Sequence, residues 1–119
     1  MLYDYSVLLA LFIFGHMIAD YPLQGAYLAA AKNRFAPLEG TPWYQAMAAH
    51  SIIHGGIVGL ISGSLVLALL ETIVHSIIDD QKCAGRYGFN VDQALHIICK
   101  FIWAMIICLE VLPSPWWQL

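Results

Sequence analysis

The segment that decides the fold spans residues 71–79 and reads ETIVHSIID. Its glutamate, histidine and aspartate are four residues apart, and side chains with this spacing lie on one face of an α-helix. The same spacing joins every other histidine of the chain to a histidine or a carboxylate: His16 with Asp20, His50 with His54, and Asp92 with His96. Side chains of these types on single helix faces indicate a set of metal ligands inside a helical bundle.

The rest of the chain is strongly apolar. Of its 119 residues 61% are hydrophobic and only 11% are charged, and the mean hydropathy is +0.71. These values indicate an integral membrane protein, in which an ionisable side chain inside a span is costly and usually functional. The five basic residues are too scattered for a nucleic-acid-binding surface, so no nucleic-acid partner is expected.

The apolar segments predict an all-α fold, a polytopic transmembrane four-helix bundle that forms a single domain over residues 1–119. The predicted spans cover about residues 4–20, 43–61, 65–81 and 92–112. The apolar stretch from 43 to 78 is too long for one span, and the triplet Ser62–Ser64 provides a turn between two. A short interfacial helix is expected at Ala26–Ala31.

An antiparallel bundle predicts the depth of each polar residue below the loops that join the helices. Counted at about 1.5 Å per residue, four histidines fall in one layer roughly 6 to 10 Å deep, namely His16, His50, His75 and His96. The carboxylates of Asp20, Asp79 and Asp92 fall nearer the loops, whereas His54 and Glu71 fall one turn deeper. Helix packing alone does not require acids and histidines in register, so this layer favours a shared site.

Three charged residues also allow a purely structural interpretation. Asp20 and Asp92 could each be a helix-end residue, and Asp92 could be the N-cap of the last helix. Lys100, two turns further on, is either a counter-ion for the acids or a side chain that extends to the membrane surface.

The basic residues predict the orientation in the membrane. Lys32, Arg34, Lys82 and Arg86 all lie in the first and third connections between the predicted spans. By the positive-inside rule these connections are cytoplasmic. Both termini are then outside the cytoplasm, and the polar layer opens toward the cytoplasmic face of the membrane.

The motifs HxxxDYxLQ, HxxxH, HxxxDxxK and DQxxH, which run in this order from His16 to His96, resemble a small, uncharacterised integral-membrane family of bacteria and their phages, a domain of unknown function. The resemblance covers nearly the whole chain. It implies an inner-membrane protein, bacterial or phage-encoded, in which Gln24, Lys82 and Gln93 belong with the site. The motif that begins at His75 also resembles the predicted membrane-bound metal-dependent hydrolases regulated by LexA, which implies hydrolase chemistry, although their other His-rich loop is absent here.

These patterns predict one or two divalent metal ions, with zinc preferred and manganese or iron as alternatives, because nitrogen and carboxylate donors suit all three. The predicted ligands are His16, Asp20, His50, His54, His75, Asp79, Asp92 and His96. Glu71 is expected to act as a general base or to orient His54, and Lys82 to join it as a catalytic residue. The expected activity is metal-dependent hydrolysis of a phosphoester or amide in a lipid-like small-molecule substrate, taken from the lipid bilayer at its cytoplasmic face.

Two other classes of protein stay open. A metal-ion or proton transporter would use the same residues as a path, but the outer halves of the spans add only Ser62, Ser64 and Glu110 to it. A structural metal-binding or haem-binding bundle would use facing histidines, although haem ligation does not account for the carboxylates beside them.

Overall fold

The computed structural model describes residues 4–113 and 115–116, and these residues form five α-helices and no strand. The helices are α1 (Tyr5–Asp20), α2 (Gly25–Ala31), α3 (Trp43–Ser62), α4 (Leu65–Cys83) and α5 (Phe89–Cys108). The all-α prediction is therefore confirmed, and the short helix α2 lies where the sequence predicts it.

Local sequence signals explain where these helices begin and end. The side chain of Asp4 accepts hydrogen bonds from the amides of Ser6 and Val7 and caps the start of α1. The connection between α3 and α4 is a tight turn in which Gly63 has a φ of 66° and closes α3. The hydroxyl of Ser64 then accepts from the amide of Leu67 and starts α4. The turn expected at residues 62–64 is present.

The four long helices form a ring. Helix α3 packs against α1 and α4, and α5 packs against the same two helices from the opposite side. Helix α2 packs against α3 and is bent by 83° from α1. The guanidinium of Arg34 donates to both carboxylate oxygens of Asp80, at 2.7 and 2.9 Å, so the first and third connections lie at the same end of the bundle. The predicted ligands lie toward this loop end.

A close approach of α3 and α4 draws two sides of the ring together. A Cβ atom added at Gly55 would lie 1.9 Å from Thr72 Oγ1 and 2.5 Å from the carbonyl oxygen of Ala68. One helical turn further along this contact, the hydroxyl of Ser76 donates to that of Ser51 at 2.8 Å. Only glycine fits at position 55 without moving the helices apart.

By length and composition, α5 is the only helix among the described residues that could cross a bilayer by itself. Helices α1 and α2 meet the same criterion only when they are taken together as one bent pair. Four membrane spans are therefore not confirmed. Helix α1 has only 16 residues, and the histidines and charged residues of the predicted site reduce the apolar character of α3 and α4.

The last helix differs from its prediction at both ends. It begins at Phe89 instead of about residue 92, because Gly88 is its N-cap, and Asp92 lies in its first turn. The interpretation of Asp92 as an N-cap is wrong. The helix ends at Cys108, before the predicted residue 112, and Glu110 follows with a φ of 54°. This left-handed conformation stops the helix before the prolines are reached.

The glycine contact predicts opposite effects for two neighbouring substitutions. Gly55→Ala should lower the free energy of unfolding by about 1–3 kcal/mol, because its methyl group would collide with backbone of α4. Gly56→Ala is the matched control, since a Cβ there meets no atom within 4 Å. It should leave stability unchanged or raise it by up to about 1 kcal/mol. Thermal unfolding of both variants in one detergent measures this, and equal melting temperatures would contradict the packing argument.

Candidate metal centre

The eight predicted ligands meet in one cluster inside the bundle. They come from all four long helices: His16 and Asp20 from α1, His50 and His54 from α3, His75 and Asp79 from α4, and Asp92 and His96 from α5. Seven of them are at most 2% exposed, and the side chain of Asp20 is 7% exposed. The i, i+4 spacing therefore directs each pair of side chains into the same interior space.

One half of the cluster is rich in nitrogen donors. Asp20 Oδ1 lies 3.1 Å from His54 Nε2, 3.3 Å from His50 Nε2 and 3.9 Å from His75 Nε2. The Nε2 atoms of His50 and His75 are 3.1 Å apart. Donor atoms of two ligands on one tetrahedral zinc ion are separated by roughly 3.3 Å, given metal–ligand distances of about 2.0–2.2 Å. The spacing of this nitrogen-rich half suits a coordination sphere.

The other half is rich in carboxylates. Asp79 Oδ1 lies 2.9 Å from His96 Nε2, and Asp92 Oδ1 lies 3.5 Å from the same nitrogen. This Asp92 oxygen is buried and has no hydrogen-bond partner. His16, His75 and His96 form a third group of donors that overlaps both halves.

One carboxylate connects the two halves. Asp79 directs Oδ1 toward His96, while its Oδ2 lies 3.3 Å from His50 Nε2 and 3.5 Å from His75 Nε2. A carboxylate whose two oxygens face different donor groups can serve two neighbouring ions, as in two-metal sites. The cluster therefore has enough donors for one or two ions.

The buried charges do not balance. Four carboxylates, from Asp20, Glu71, Asp79 and Asp92, face the two buried ammonium groups of Lys32 and Lys100, which leaves a formal charge of −2 when the histidines are neutral. An uncompensated buried charge costs several kcal/mol. One divalent cation would balance this charge. Together with the unpartnered Asp92 oxygen, the charge count fits a metal-binding centre.

The position of His54 differs from the prediction. Its ring stacks on that of His75 with the centroids 3.6 Å apart, so His54 lies in the main histidine layer and not one turn deeper. Helical side chains tilt toward the N-terminus of their helix. In α3 that direction is toward the loop end, which raises His54, whereas in α4 it is away from the loop end, which lowers Glu71.

Glu71 faces His75. One of its two predicted roles was instead to orient His54. Glu71 Oε1 lies 3.4 Å from His75 Nδ1 and accepts a hydrogen bond from Lys100, and Oε2 accepts one from Trp103 Nε1 at 2.6 Å. Lys100 is 1% exposed, so the structure favours the counter-ion interpretation of this residue. With both oxygens engaged, Glu71 is placed to hold the His75 ring, as outer carboxylates hold metal-binding histidines.

The glutamines implied by the family resemblance also lie in the cluster. Gln93 donates to Asp20 Oδ2 at 2.6 Å, and its Oε1 lies 3.1 Å from His16 Nε2. Gln24 donates to the carbonyl of Asp20 at 3.2 Å and accepts a hydrogen bond from Lys32. Both amides therefore fix side chains of the site instead of standing at its surface.

Sequence reasoning missed Lys32 and Trp103. Lys32 counts only as a loop charge in the sequence, yet it is 5% exposed and its ammonium group donates to Asp79 Oδ2. The one local signal was its position at the end of the apolar helix α2. Lys82 lies at the boundary between the cluster and the solvent-exposed loop, which we call the entrance of the site. Its side chain is 35% exposed and its Nζ lies 4.0 Å from Asp92 Oδ2.

Two contacts hold the loops around this entrance. The hydrogen bond that Arg34 donates to the Asp80 carboxylate raises the pKa of the guanidinium, which stays charged and ties the first connection to α4. The hydroxyl of Tyr87 donates to the carbonyl of Ile78. Burial raises the pKa of Tyr87, so this phenol stays neutral and keeps its donor proton.

The fold and the cluster define an all-α protein with a buried histidine–carboxylate centre. Residues 8–117 match the family described as Protein of unknown function (DUF3307), and the chain belongs to this family. The predicted membership of a domain of unknown function is confirmed. Neither a curated protein nor a solved structure matches the chain. The resemblance to LexA-regulated hydrolases stays a prediction.

The Glu71–Lys100 pair predicts strong coupling between two substitutions. Glu71→Gln should leave the buried ammonium group of Lys100 without its counter-ion and lower the free energy of unfolding by about 3–5 kcal/mol. Lys100→Met should leave the Glu71 carboxylate without its counter-ion and lower the free energy of unfolding by a similar amount. The double variant removes both charges and should be more stable than either single variant. Melting temperatures of the three proteins in one detergent give the coupling. Additive losses would mean that the two charges do not depend on each other.

Proposed function

We propose that the protein is a membrane-embedded, metal-dependent hydrolase that acts on a phosphoester or amide bond of a lipid-like substrate at the cytoplasmic face of the bacterial inner membrane. The observation that carries this proposal is the convergence of five histidine Nε2 atoms and three aspartate side chains within one buried cluster. Helix packing needs no such convergence, whereas a metal centre requires it.

The exterior of the bundle supports the membrane part of the proposal. Large apolar side chains that are more than half exposed occur on all four long helices: Val7, Phe14, Ile52, Leu60, Leu69, Ile73, Ile98 and Met105. The interior, by contrast, holds six charged side chains, those of Asp20, Lys32, Glu71, Asp79, Asp92 and Lys100. A water-soluble bundle has the reverse arrangement. We therefore assign α1, α3, α4 and α5 to four spans, with the loop end toward the cytoplasm.

Zinc is the ion that we assign to the nitrogen-rich half, held by Asp20, His50, His54 and His75, with manganese or iron as alternatives. Asp79, Asp92 and His96, with His16 nearby, would hold a second ion. A single divalent ion already balances the formal charge of the buried residues, and we assign this first ion to the nitrogen-rich half because imidazole nitrogens with one carboxylate suit zinc.

A divalent ion held by these residues would lower the pKa of a bound water and polarise the bond to be broken. In the hydrolysis itself, a water oxygen would bond to phosphorus or to the carbonyl carbon, the bond to the leaving oxygen or nitrogen would break, and the leaving group would take a proton from that water. Within the protein, Glu71 holds His75 in orientation, and Lys82 at the entrance orients the substrate.

A transporter is less well supported. Between the cluster and the end of the bundle where α1 begins and α5 ends lies an apolar core, which includes Leu8, Phe12, Val58, Leu67, Trp103, Ala104 and Ile107. A path for an ion would need polar groups through this region. Within residues 4–113, polar groups reach the centre from the loop end and not through this core, which suits a substrate that enters and leaves on one side.

The proposal predicts that metal content and activity depend on the same residues. Purified protein should retain one or two divalent ions per chain by elemental analysis. His50→Ala and Asp79→Asn should weaken metal binding by more than about 100-fold and lower the melting temperature in parallel, because a ligand that binds the folded state stabilises it. Hydrolysis of a panel of lipid phosphoesters and lipid amides should fall with metal content.

Asp80→Asn is the matched control for Asp79→Asn. It makes the same chemical change one residue further along α4, at a carboxylate that pairs with Arg34 outside the cluster. It should leave metal content and hydrolysis unchanged. A wild-type protein that is fully stable without metal would overturn the metal centre, and a metal-replete protein that cleaves nothing in the panel would overturn the hydrolase.

The proposed orientation places the C-terminus outside the cytoplasm. A reporter that works only outside the cytoplasm should therefore be active when it is fused to the C-terminus. Reporters inserted in the exposed loop at Gly40 or at Arg86 should give the cytoplasmic signal, because the basic residues of both loops follow the positive-inside rule. Paired reporters that are each active on one side of the membrane measure this. A cytoplasmic C-terminus would reverse the orientation and leave the metal centre unaffected.

A further inference from the structure

Lys32 and Lys82 each contact one carboxylate of the carboxylate-rich half, from the side of the loops. The ammonium group of Lys32 donates to Asp79 Oδ2, and Lys82 Nζ lies 4.0 Å from Asp92 Oδ2. Both carboxylates contact His96 Nε2. The two lysines therefore stand next to the same donor group, one buried within the cluster and the other at its entrance.

A metal ion in this half would change what the lysines contact. His96 Nε2 faces the Oδ1 atoms of Asp79 and Asp92, whereas Lys32 and Lys82 contact the Oδ2 atoms of the same carboxylates. Asp92 Oδ1 is buried without a hydrogen-bond partner, which is an independent indication that this oxygen can accept a cation. An ion held by the Oδ1 atoms would share the negative charge of both carboxylates with the lysines, so the attraction between each carboxylate and its lysine would weaken.

The net charge of the centre with two ions bound favours the binding of an anion. One divalent ion balances the buried charge, so a second ion, added beside two lysines, leaves an excess of positive charge inside an apolar bundle. Such an excess is costly unless an anion accompanies the ion. A phosphate monoester carries about −1.5 to −2 charges and three acceptor oxygens, and lysine is a common phosphate ligand. A neutral amide supplies neither the charge nor the acceptors.

We propose that the carboxylate-rich half, together with Lys32 and Lys82, binds a phosphate group along with the second metal ion, so that the substrate is a phosphoester and not an amide. This inference rests on the proposed metal-dependent hydrolase and narrows its substrate class. The phosphate of a lipid headgroup and that of a soluble ester share the chemistry that the lysines recognise. The two sources differ in how the phosphate reaches the centre, because a lipid headgroup enters from the bilayer and a soluble ester enters from water.

The test titrates inorganic phosphate into zinc-loaded protein in detergent, by calorimetry, with bound zinc measured in the same samples. In the wild type, phosphate should bind and should raise the bound zinc from about one toward two ions per chain. Lys32→Gln and Lys82→Gln should keep the first ion and weaken phosphate binding by about 10-fold to 100-fold each, the loss expected for a charged hydrogen bond. Lys82 is partly exposed, so its variant tests the proposal even if Lys32→Gln does not fold.

Arg86→Gln is the matched control, because it removes one positive charge from an exposed side chain in the same loop as Lys82. It should leave phosphate binding unchanged. Zinc-loaded wild type that binds no phosphate, or that binds it as tightly in both lysine variants, would overturn this inference and leave the metal centre intact. A chain that holds no zinc would overturn the proposed function and this inference together.

The two sources of phosphate are distinguished by hydrolysis. The wild type and Lys82→Gln are each given three substrates at equal concentration, and hydrolysis is measured. The substrates are phosphatidic acid in micelles, a soluble alkyl phosphate, and a ceramide in micelles. Release of phosphate from phosphatidic acid alone identifies the lipid, and release from both phosphate esters identifies the phosphate group by itself. Cleavage of the ceramide with no release of phosphate would overturn the inference.

Discussion

The burial of four carboxylates at the centre of one small bundle is the constraint on which the rest of the structure depends. Each carboxylate that leaves water costs several kcal/mol unless a cation or hydrogen-bond donors meet it. Glu71 is met by Lys100 and Trp103, and Asp79 by Lys32 and three histidines. With neutral histidines two negative charges are left over, and the donors around them have the chemistry of a metal centre.

The backbone is arranged to serve this centre. Helix α2 turns by 83° away from α1 at the loop end, and at its C-terminal end Lys32 reaches Asp79, which lies 47 residues further along the chain. On the opposite side, Gly55 lets α3 approach α4 closely, and the Nε2 atoms of His50 and His75 are 3.1 Å apart. The apolar core below closes the centre at the far end. Packing, topology and polarity thus all leave the loop end as the accessible side.

The centre has two chemically different halves that share Asp79. In our proposal the nitrogen-rich half holds the first ion, and the carboxylate-rich half stands next to Lys32 and Lys82. This division would separate the ion that stays with the protein from the ion that binds together with the phosphate group. The exposed apolar side chains around all four long helices place this polar interior in a lipid-like surrounding in our proposal.

The sequence by itself determined the helical elements and the residues that face the buried centre. Apolar segment length, the Ser62–Ser64 turn and the i, i+4 spacing are local properties, so the bounds of α1, α3 and α4 and the inward-facing pairs could be predicted from the chain. The tertiary structure alone decided the depth of His54, the partner of Glu71, and the burial of Lys32 and Trp103. These depend on helix direction, on the bend between α1 and α2, and on how far a long side chain reaches. They are contacts between residues distant in the chain, and no local pattern encodes them.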